Sequence, residues 1–453
     1  MENQLAREFN LRTMAKFSLP TMAMMVMLSL YTIVDGLFVS NYVGTDALSS
    51  INMVLPVIAI INGLGVMFAS GGSAIVARKQ GQGLAAQGNQ LFTAICITAV
   101  GLGFLVLIIG CSLNVQINQL LGATDRLLEF CNDYALFLYL FAPVCIFKTM
   151  CDTFLVTAGK PNMALVASIA GGLTNVLLDY IFIVVVDMGV MGAAIATGIG
   201  QAVAAGVALT VFFNKKNVLH FNKPNFQVKS LLETVVNGSS ELVTNLASAV
   251  TSLLFNFSML KYVGEDGVAA VTIANYSIFL LVPMFMGMFM GVAPLVGYNY
   301  GSGNKEQLHK IFRTCCVITG ILSVVFFAVL ELITPFMVSI FANNNVQVQA
   351  LAEHGMRIFA FALLFLGVNI FSSSFFTALS NGKVSALLSF TKNLAFVIVG
   401  ILVWPLIFQI DGIWITIPVA ELLGAIMSVI FFLAYRNRYG YGGKLHQTAQ
   451  ENS

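Results

Sequence analysis

Three side chains that bear carboxylate or amide oxygens lie inside long apolar stretches of the first half of the chain. Asp35 falls within Leu30–Val39, and Asn175 and Asp179 stand four residues apart within Gly171–Tyr180. A spacing of four places two side chains on one face of a helix. An ionisable group inside a membrane usually faces a polar interior and marks an ion or proton path. Since such oxygens bind hard cations and exchange protons, the three residues form a candidate cation site.

Each of these residues also has a purely structural interpretation. Asp35 would have no role in an ion path if it lay high enough to be solvated at the external end of its helix. Asn175 and Asp179 would have none as a hydrogen-bonding pair between helices, and Thr197 would have none if it bonded its own backbone. If Asp35 and Asp179 instead face one cavity, the two carboxyl groups would not both ionise easily. Loading of a proton or of Na⁺ would then change the local charge by one and bias a helix between two shapes.

The composition indicates that these residues are surrounded by a membrane. Of the 453 residues, 58% are hydrophobic and 9% are charged, whereas a soluble domain carries roughly 25% charged residues. Residues 1–17 are polar, and the apolar run behind them has no small-residue cleavage pattern. We therefore expect an integral membrane protein whose first helix is retained rather than cleaved as a signal peptide.

The seven cysteines and four histidines are scattered and show neither a CxxC motif nor a Cys/His ligand spacing. A membrane enzyme would need a clustered nucleophile, metal or base, so the sequence predicts no enzymatic activity and no cofactor. The basic residues are dispersed in short loops, which argues against nucleic acid as a partner.

Twelve apolar runs are long enough to cross a bilayer, which requires about 20 residues for each helix. They cover residues 18–40, 51–75, 90–112, 132–156, 163–186, 190–213, 238–260, 270–296, 313–336, 355–378, 386–408 and 413–435. The pattern predicts an all-α fold with twelve transmembrane helices.

The chain repeats itself at a shift of about 220 residues. Tyr42–Asp46 recurs as Tyr262–Asp266, and Gly81–Gly83 recurs in position as Gly301–Gly303. Twelve helices at this shift are six plus six, and an even number makes both copies enter the membrane from the same side. We therefore expect two pseudo-symmetric six-helix bundles.

This duplication predicts the division of the chain. Residues 1–213 form an amino-terminal lobe, 214–237 a cytoplasmic linker, 238–435 a carboxy-terminal lobe, and 436–453 a cytoplasmic tail. The candidate cation site is not duplicated, because the corresponding positions of the second copy hold Phe255, Ala395 and Val399.

The distribution of Lys and Arg predicts the orientation. With the amino terminus inside, one side of the membrane carries most of the basic residues, while the opposite side holds only Arg126, Lys261 and Arg357. Cytoplasmic loops carry an excess of Lys and Arg, so both termini are expected in the cytoplasm.

Further residues are candidates for a substrate cavity or for movement. Methionine is adaptable and suits a promiscuous binding surface, and Met284 and Met288 are expected to line a cavity with Tyr31 and Gln201. The alternative is that apolar residues at every helical angle merely serve packing and lipid contact. Pro20 in the first helix is either a helix-start signal or a hinge.

Several charged residues near or inside helices have no assigned role at this stage. Lys148 and Asp152, four residues apart, form either a self-neutralising pair or a link in the polar network. Glu421 corresponds to Gln201 at the shift of about 220, and Glu241 begins the seventh helix.

Together these features resemble the multidrug and toxic compound extrusion (MATE) family, in its bacterial DinF-like and MepA-like branches. The resemblance runs nearly end to end, including the segments Gly192–Thr197 and Pro294–Asn299. It implies a V-shaped antiporter in the bacterial cytoplasmic (inner) membrane, where the lipid bilayer surrounds it. Such a protein expels organic, often cationic, compounds in exchange for H⁺ or Na⁺, and we expect a monomer.

The resemblance also implies residue roles. The family's amino-terminal cation site would fall on Asp35, Asn175, Asp179 and Thr197, with the first three as metal ligands if Na⁺ is the coupling ion. The family's bendable proline would be Pro20. NorM-like members hold an acidic site in the second lobe, but helix 10 here has no acid, so coupling is expected in the first lobe.

A lipid-linked saccharide flippase of the same superfamily is the alternative function. It would need a groove lined with Arg and Lys for pyrophosphate, and only Lys148 and Lys392 lie deep enough. The sequence leaves the substrate and the choice between H⁺ and Na⁺ open.

Overall fold

The computed structural model describes residues 4–342 and 345–442, and all regular elements within them are helical. The α-helices are α1 Leu11–Phe38, α2 Thr45–Gly81, α3 Ala85–Ser112, α4 Asn114–Leu120, α5 Asp125–Thr157, α6 Pro161–Asp179, α7 Gly189–Phe212, α8 Val228–Tyr262, α9 Glu265–Ile278, α10 Leu281–Gly301, α11 Lys305–Phe341, α12 Val346–Ala360, α13 Leu363–Ala378, α14 Gly382–Phe390, α15 Val397–Phe408 and α16 Ile410–Tyr439. Short π-helical turns cover Val39–Val43, Tyr180–Val185 and Thr391–Phe396.

The predicted membrane fold is confirmed. Within the described residues, 11 spans are long and apolar enough to cross a bilayer, and α12 with α13, bent by 48° at their junction, form a further one. Several α-helices share a span: α9 continues into α10, and α14 into α15 through a π-helical turn. We call α1–α7 the first lobe and α8–α16 the second lobe.

The segment predicted as the linker, residues 214–237, is a loop only in its first part. The chain enters α8 at Val228, because the residues that follow form an amphipathic turn. Leu231 and Val235 pack against the core of the first lobe, while Glu233 forms an ion pair with Arg78 at 2.9 Å. Glu233 interrupts the apolar run, so a search for apolar stretches places the start of this helix too late.

The predicted tail, residues 436–453, also begins inside a helix, since α16 continues to Tyr439. Gly440 then adopts a left-handed conformation with φ 75°, which turns the chain back so that Tyr441 is buried. The Tyr441 hydroxyl donates to the Phe432 carbonyl oxygen at 2.9 Å. Residues 443–453 lie outside the described part of the chain.

Each lobe has its own apolar core, and α1 takes part in both. Met24 belongs to the core of the first lobe. Met14, together with Phe9 and Leu5 before α1, belongs to the core of the second lobe. The first of these residues therefore pack into the second lobe, whereas Met24, farther along α1, packs into the first lobe. Pro20 lies between Met14 and Met24, inside a helix that starts at Leu11.

The lobes contact each other through glycines. A Cβ at Gly71 of α2 would overlap the Thr234 carbonyl oxygen of α8, and a Cβ at Gly291 of α10 would lie 2.9 Å from the Ser18 hydroxyl of α1. Residues about 220 positions apart take equivalent places in this interface: Gly71 corresponds to Gly291, and Ser18 corresponds to Gly238. The internal duplication of the sequence therefore appears in the structure as a two-fold pseudo-symmetry of the interface. Gly238 itself packs against the backbone of α2.

These contacts lie toward the end of the molecule where both described termini are found, which we call the terminal end. There, Gln307 Nε2 donates to the Phe9 carbonyl oxygen at 3.2 Å, and His309 Nδ1 lies 2.6 Å from the Tyr441 carbonyl oxygen. Gly81 and Gly301 also meet the opposite lobe at this end. The lobes thus join at the terminal end, and the cavity between them lies farther from that end.

Candidate functional site

The two acidic residues of the candidate cation site lie on neighbouring helices of the first lobe. Asp35 is in the last turn of α1 and Asp179 is the last residue of α6. A π-helical turn follows closely after each of them, and such turns are frequent at functional sites. The two carboxyl groups are within electrostatic range of each other, and Tyr134 of α5 is within range of both.

Several oxygen atoms of this site have no partner. Asp179 is 0% exposed, and neither of its carboxylate oxygens has a hydrogen-bond partner among the described residues. The same is true of one oxygen of Asp35 and of the side-chain oxygen of Asn175. Leaving a buried polar group unsatisfied costs roughly 1–3 kcal/mol. A proton on a carboxyl group, or a cation held between these oxygens, would supply the missing interactions.

Asn175 and Thr197 connect this site to α7. Asn175 Nδ2 donates to the Thr197 hydroxyl at 3.3 Å. Close packing makes this contact possible, because a Cβ on Gly171 of α6 would lie 2.7 Å from the Gly200 carbonyl oxygen of α7. Gly172, the next residue, faces the ring of Tyr31 on α1. Gly171 and Gly172 therefore allow both neighbouring helices to approach α6 closely.

The structure thus brings Asp35, Asn175, Asp179 and Thr197 to one region of the first lobe. Asp35 keeps part of its surface exposed, but one of its oxygens is buried, so the group is not simply bathed in solvent. Among the described residues, no group of three or more His, Cys, Asp and Glu side chains is arranged to hold a metal ion. Any Na⁺ here would depend on amide and hydroxyl oxygens besides the two carboxylates.

A central cavity of about 500 Å³ lies between the lobes. Its wall combines sulfur-containing and aromatic side chains with hydroxyl and amide groups contributed by both lobes. Tyr31 and Gln201 lie in this wall, where the sequence analysis expected them. A pocket of this kind, mostly apolar with a few polar groups, is typical of small-molecule sites.

The two methionines predicted to line this cavity do not do so. Met288 is buried in the core of the second lobe, and Met284 packs against that core. Met286 and Met290 line the cavity instead, together with Phe289. Residues four apart share a helix face, and the Met-rich segment of α10 turns the face of Met286 and Met290 toward the cavity. The sequence could not identify this face, because α10 is apolar all round.

An ion pair of each lobe borders the cavity. Lys148 Nζ lies 2.8 Å from Asp152 Oδ2, and the two side chains are only 7% and 8% exposed. In the second lobe, Lys392 Nζ lies 2.8 Å from Glu421 Oε1. Asn369 Nδ2 donates to the other oxygen of Glu421 at 2.6 Å. Lys148 and Lys392 both line the cavity, and each is neutralised within its own lobe.

Glu241 differs from the other charged residues of the cavity wall. It lies on α8 and lines the cavity with Thr244 and Asn245. Among the described residues it forms no ion pair. Glu241 is therefore the acidic residue of the cavity wall that has no basic partner among the described residues.

Tyr134 and the ion pair of the second lobe were not predicted from the sequence. Tyr134 stands in an apolar run where aromatic residues are common, so nothing marked it. Lys392 and Glu421 were each noticed as charged residues near helices. Their pairing joins positions on two different helices, for which local spacing gives no signal.

Comparisons with known proteins agree with this architecture. A family model described as MatE matches residues 20–181 and again residues 242–403. The chain is 24% identical over 431 residues to the multidrug export protein MepA of Staphylococcus aureus, covering 94% of each chain. It is also 24% identical over 436 residues to MepA of Staphylococcus saprophyticus, again covering 94% of each. A solved structure described as the outward-facing conformation of a multidrug resistance MATE family transporter matches with a TM-score of 0.90 at 21% identity, covering 97% of this chain and 99% of that chain.

Proposed function

Because this chain belongs to the MatE family, we propose that it is a secondary active antiporter that exports organic, cationic drugs or toxic compounds in exchange for H⁺ or Na⁺. The similarity to MepA, a multidrug export protein, extends over 94% of the chain and supports export of several compounds. The proposed substrate class and the two candidate coupling ions rest on the chemistry of the two sites.

One observation carries the proposal: Asp35 and Asp179 have buried carboxyl oxygens without hydrogen-bond partners among the described residues, in a lobe that forms one side of a cavity between the two lobes. Asp35 and Asp179 lie within electrostatic range of each other, and both oxygens of Asp179 are unpaired among the described residues. Two such groups can take up one proton, or share one Na⁺ with Asn175. Loading changes the charge of the first lobe by one.

The central cavity suits organic cations. Glu241, the acid of the wall without a basic partner, would balance the charge of the substrate. Phe279 and Phe289 also belong to the wall, and aromatic rings attract cations. Met286 and Met290 provide adaptable surface that accommodates different shapes. A substrate of this class would bind through its apolar body and be oriented by its charge.

The transport cycle follows from these parts. Loading of the cation at Asp35 and Asp179 would rearrange α1 around Pro20 and release the substrate outward. The lobes would then separate at the terminal end and reload from the cytoplasm. A membrane potential of 100 mV supplies roughly 2.3 kcal/mol per charge, which is comparable to typical couplings of about 1–3 kcal/mol between sites.

Transport by purified protein tests the proposal. Proteoliposomes would be loaded with a fluorescent organic cation such as ethidium, and its movement followed under an imposed pH gradient and then under a Na⁺ gradient alone. We expect one gradient to drive transport, and Asp35→Asn and Asp179→Asn to abolish the driven component. Driven transport at the wild-type rate in both variants would remove the two carboxyl groups from coupling, and an absence of movement under both gradients would refute the antiport itself.

A saccharide flippase is not favoured by the cavity. Recognition of pyrophosphate requires free positive charge. Lys148 and Lys392, the lysines that reach the cavity wall, are each paired with a carboxylate at 2.8 Å.

A further inference from the structure

A second, much smaller cavity lies beside the central one, between α1, α5, α6 and α7, and we call it the small pocket. Its volume of about 10 Å³ is close to the smallest space that holds one water molecule. Asn175 and Thr197 of the candidate cation site form part of its wall, and Tyr31, Lys148 and Gln201 belong to its wall and to that of the central cavity. The small pocket therefore separates the cation site from the central cavity.

Two polar atoms of this pocket lack hydrogen-bond partners among the described residues: the side-chain oxygen of Asn175 and the hydroxyl of Ser168. The two residues are only 3% and 2% exposed. Buried polar atoms are nearly always paired, and a buried water molecule typically makes about three hydrogen bonds to groups that would otherwise be unsatisfied. The pocket thus has the size and the polar groups to bind one water molecule.

Lys148 is the charged group that faces both spaces. Its ammonium group has three donors, of which one is used by Asp152 at 2.8 Å. The titratable groups around it are Asp152 and Cys145 of its own helix and Tyr31 of α1. From the other side of the central cavity, Glu241 of α8 faces the same space.

Tyr31 gives Lys148 a second connection to the cation site. The phenol group is within electrostatic range of both Lys148 and Asp35, and its ring packs against Gly172 of α6. Movement of α1 or a change of charge at Asp35 therefore acts directly on the surroundings of Lys148.

We propose that Lys148, held by Asp152, is the residue through which the cation site and the substrate cavity communicate, with one ordered water molecule in the small pocket completing the connection. While Asp35 and Asp179 carry negative charge, the ammonium group is drawn toward the small pocket. Once a cation neutralises that charge, the flexible lysine side chain turns its ammonium group, still paired with Asp152, toward the central cavity, where it weakens the binding of the organic cation. Lys148 is a positioning residue in this scheme, which rests on the proposed function.

A double-mutant cycle tests this connection. The dissociation constant of ethidium would be measured by fluorescence anisotropy in detergent, with Asp35→Asn imitating a loaded cation site. In the wild-type background we expect Asp35→Asn to weaken ethidium binding at least about fivefold, the lower end of typical coupling between sites. With the neutral pair Lys148→Met/Asp152→Asn, the same substitution should change the constant less than about twofold.

Two further variants make the test specific. Lys148→Arg keeps the charge and should retain the effect of Asp35→Asn. Ser168→Val fills the small pocket without touching the ion pair and should reduce the effect, which keeps the test decisive if the neutral pair fails to fold.

The ion pair of the second lobe is the matched control. Lys392→Met/Glu421→Gln also neutralises a pair that borders the central cavity, but it lies away from the small pocket, so the effect of Asp35→Asn should persist there. An equal effect of Asp35→Asn with and without the Lys148 pair overturns the inference alone. No effect in the wild-type background refutes the cation site of the proposed function, and the inference with it.

Discussion

The crossing of α1 and α10 allows a quantitative prediction about the conformational equilibrium. A Cβ added to Gly287 of α10 would lie 2.5 Å from the Thr21 carbonyl oxygen and 2.7 Å from Met22 Cα, both backbone atoms of α1. Neither atom can move aside as a flexible side chain would. Gly287→Ala must therefore push the two helices apart by several tenths of an ångström or more.

This displacement destabilises the arrangement in which the lobes meet at the terminal end. Overpacking of a tight contact typically costs about 1–3 kcal/mol. The helices are no longer pressed together when the terminal end opens, so Gly287→Ala should shift the equilibrium toward the open arrangement by roughly 5–150-fold. Transport slows because one step of the cycle becomes unfavourable.

Distance measurements between the lobes detect this shift. Spin labels would be attached at Gln82→Cys and Lys383→Cys, exposed positions of the two lobes near the terminal end, in a protein lacking the native cysteines. Gly287→Ala should enlarge the population with the longer distance. Gly206→Ala on α7, where an added Cβ meets nothing within 4 Å, should match the parent protein. An unchanged distance distribution in Gly287→Ala would refute the reasoning.

Three further predictions follow from other contacts. Lys148→Met alone leaves the buried Asp152 carboxylate unpaired, and it should destabilise the protein by about 3–5 kcal/mol. The thermal unfolding midpoint should fall, and it should largely recover when Asp152→Asn is added; an equal loss in both variants would contradict this. Glu241→Gln removes the acid of the central cavity that has no basic partner, and it should weaken ethidium binding about tenfold, through an interaction of about 1–2 kcal/mol, while binding of an uncharged dye should stay the same. Tyr441→Ala removes a fully buried aromatic ring and should cost about 3–5 kcal/mol, visible as a lower unfolding midpoint, and a midpoint within error of the wild type would show that the ring adds little.

The cation-site residues could be recognised from sequence because they are costly where they stand. An acid or amide inside an apolar run is unfavourable unless something in the protein satisfies it, so Asp35, Asn175 and Asp179 each attracted notice singly. Their assembly into one region required tertiary structure, although the spacing of Asn175 and Asp179 already placed two of them on one face.

The sequence could not show which face of a helix lines the cavity where nearly all side chains of that helix are apolar. On α10 nearly every side chain is apolar, so Met286 and Met288 look alike in sequence, and the prediction chose the wrong face. The pairing of Lys392 with Glu421 depends on how α16 packs against its neighbours. Apolar length predicted the transmembrane helices because each must span the same thickness.

The small pocket was also beyond the reach of the sequence. It arises because Gly171 and Gly200 let α6 and α7 approach while the hydroxyl of Ser168 remains without a partner. A space of this size depends on the arrangement of four helices at once.

The divided packing of α1 has a mechanical consequence. Met14 packs in the core of the second lobe and Met24 in the core of the first, so any rotation of one lobe against the other must be absorbed between these two residues. Pro20 falls in that stretch and lacks the amide hydrogen that would stiffen it. A rotation of the lobes in the proposed cycle would therefore bend or straighten the helix that bears Asp35, and the surroundings of this acid would change with the relative orientation of the lobes.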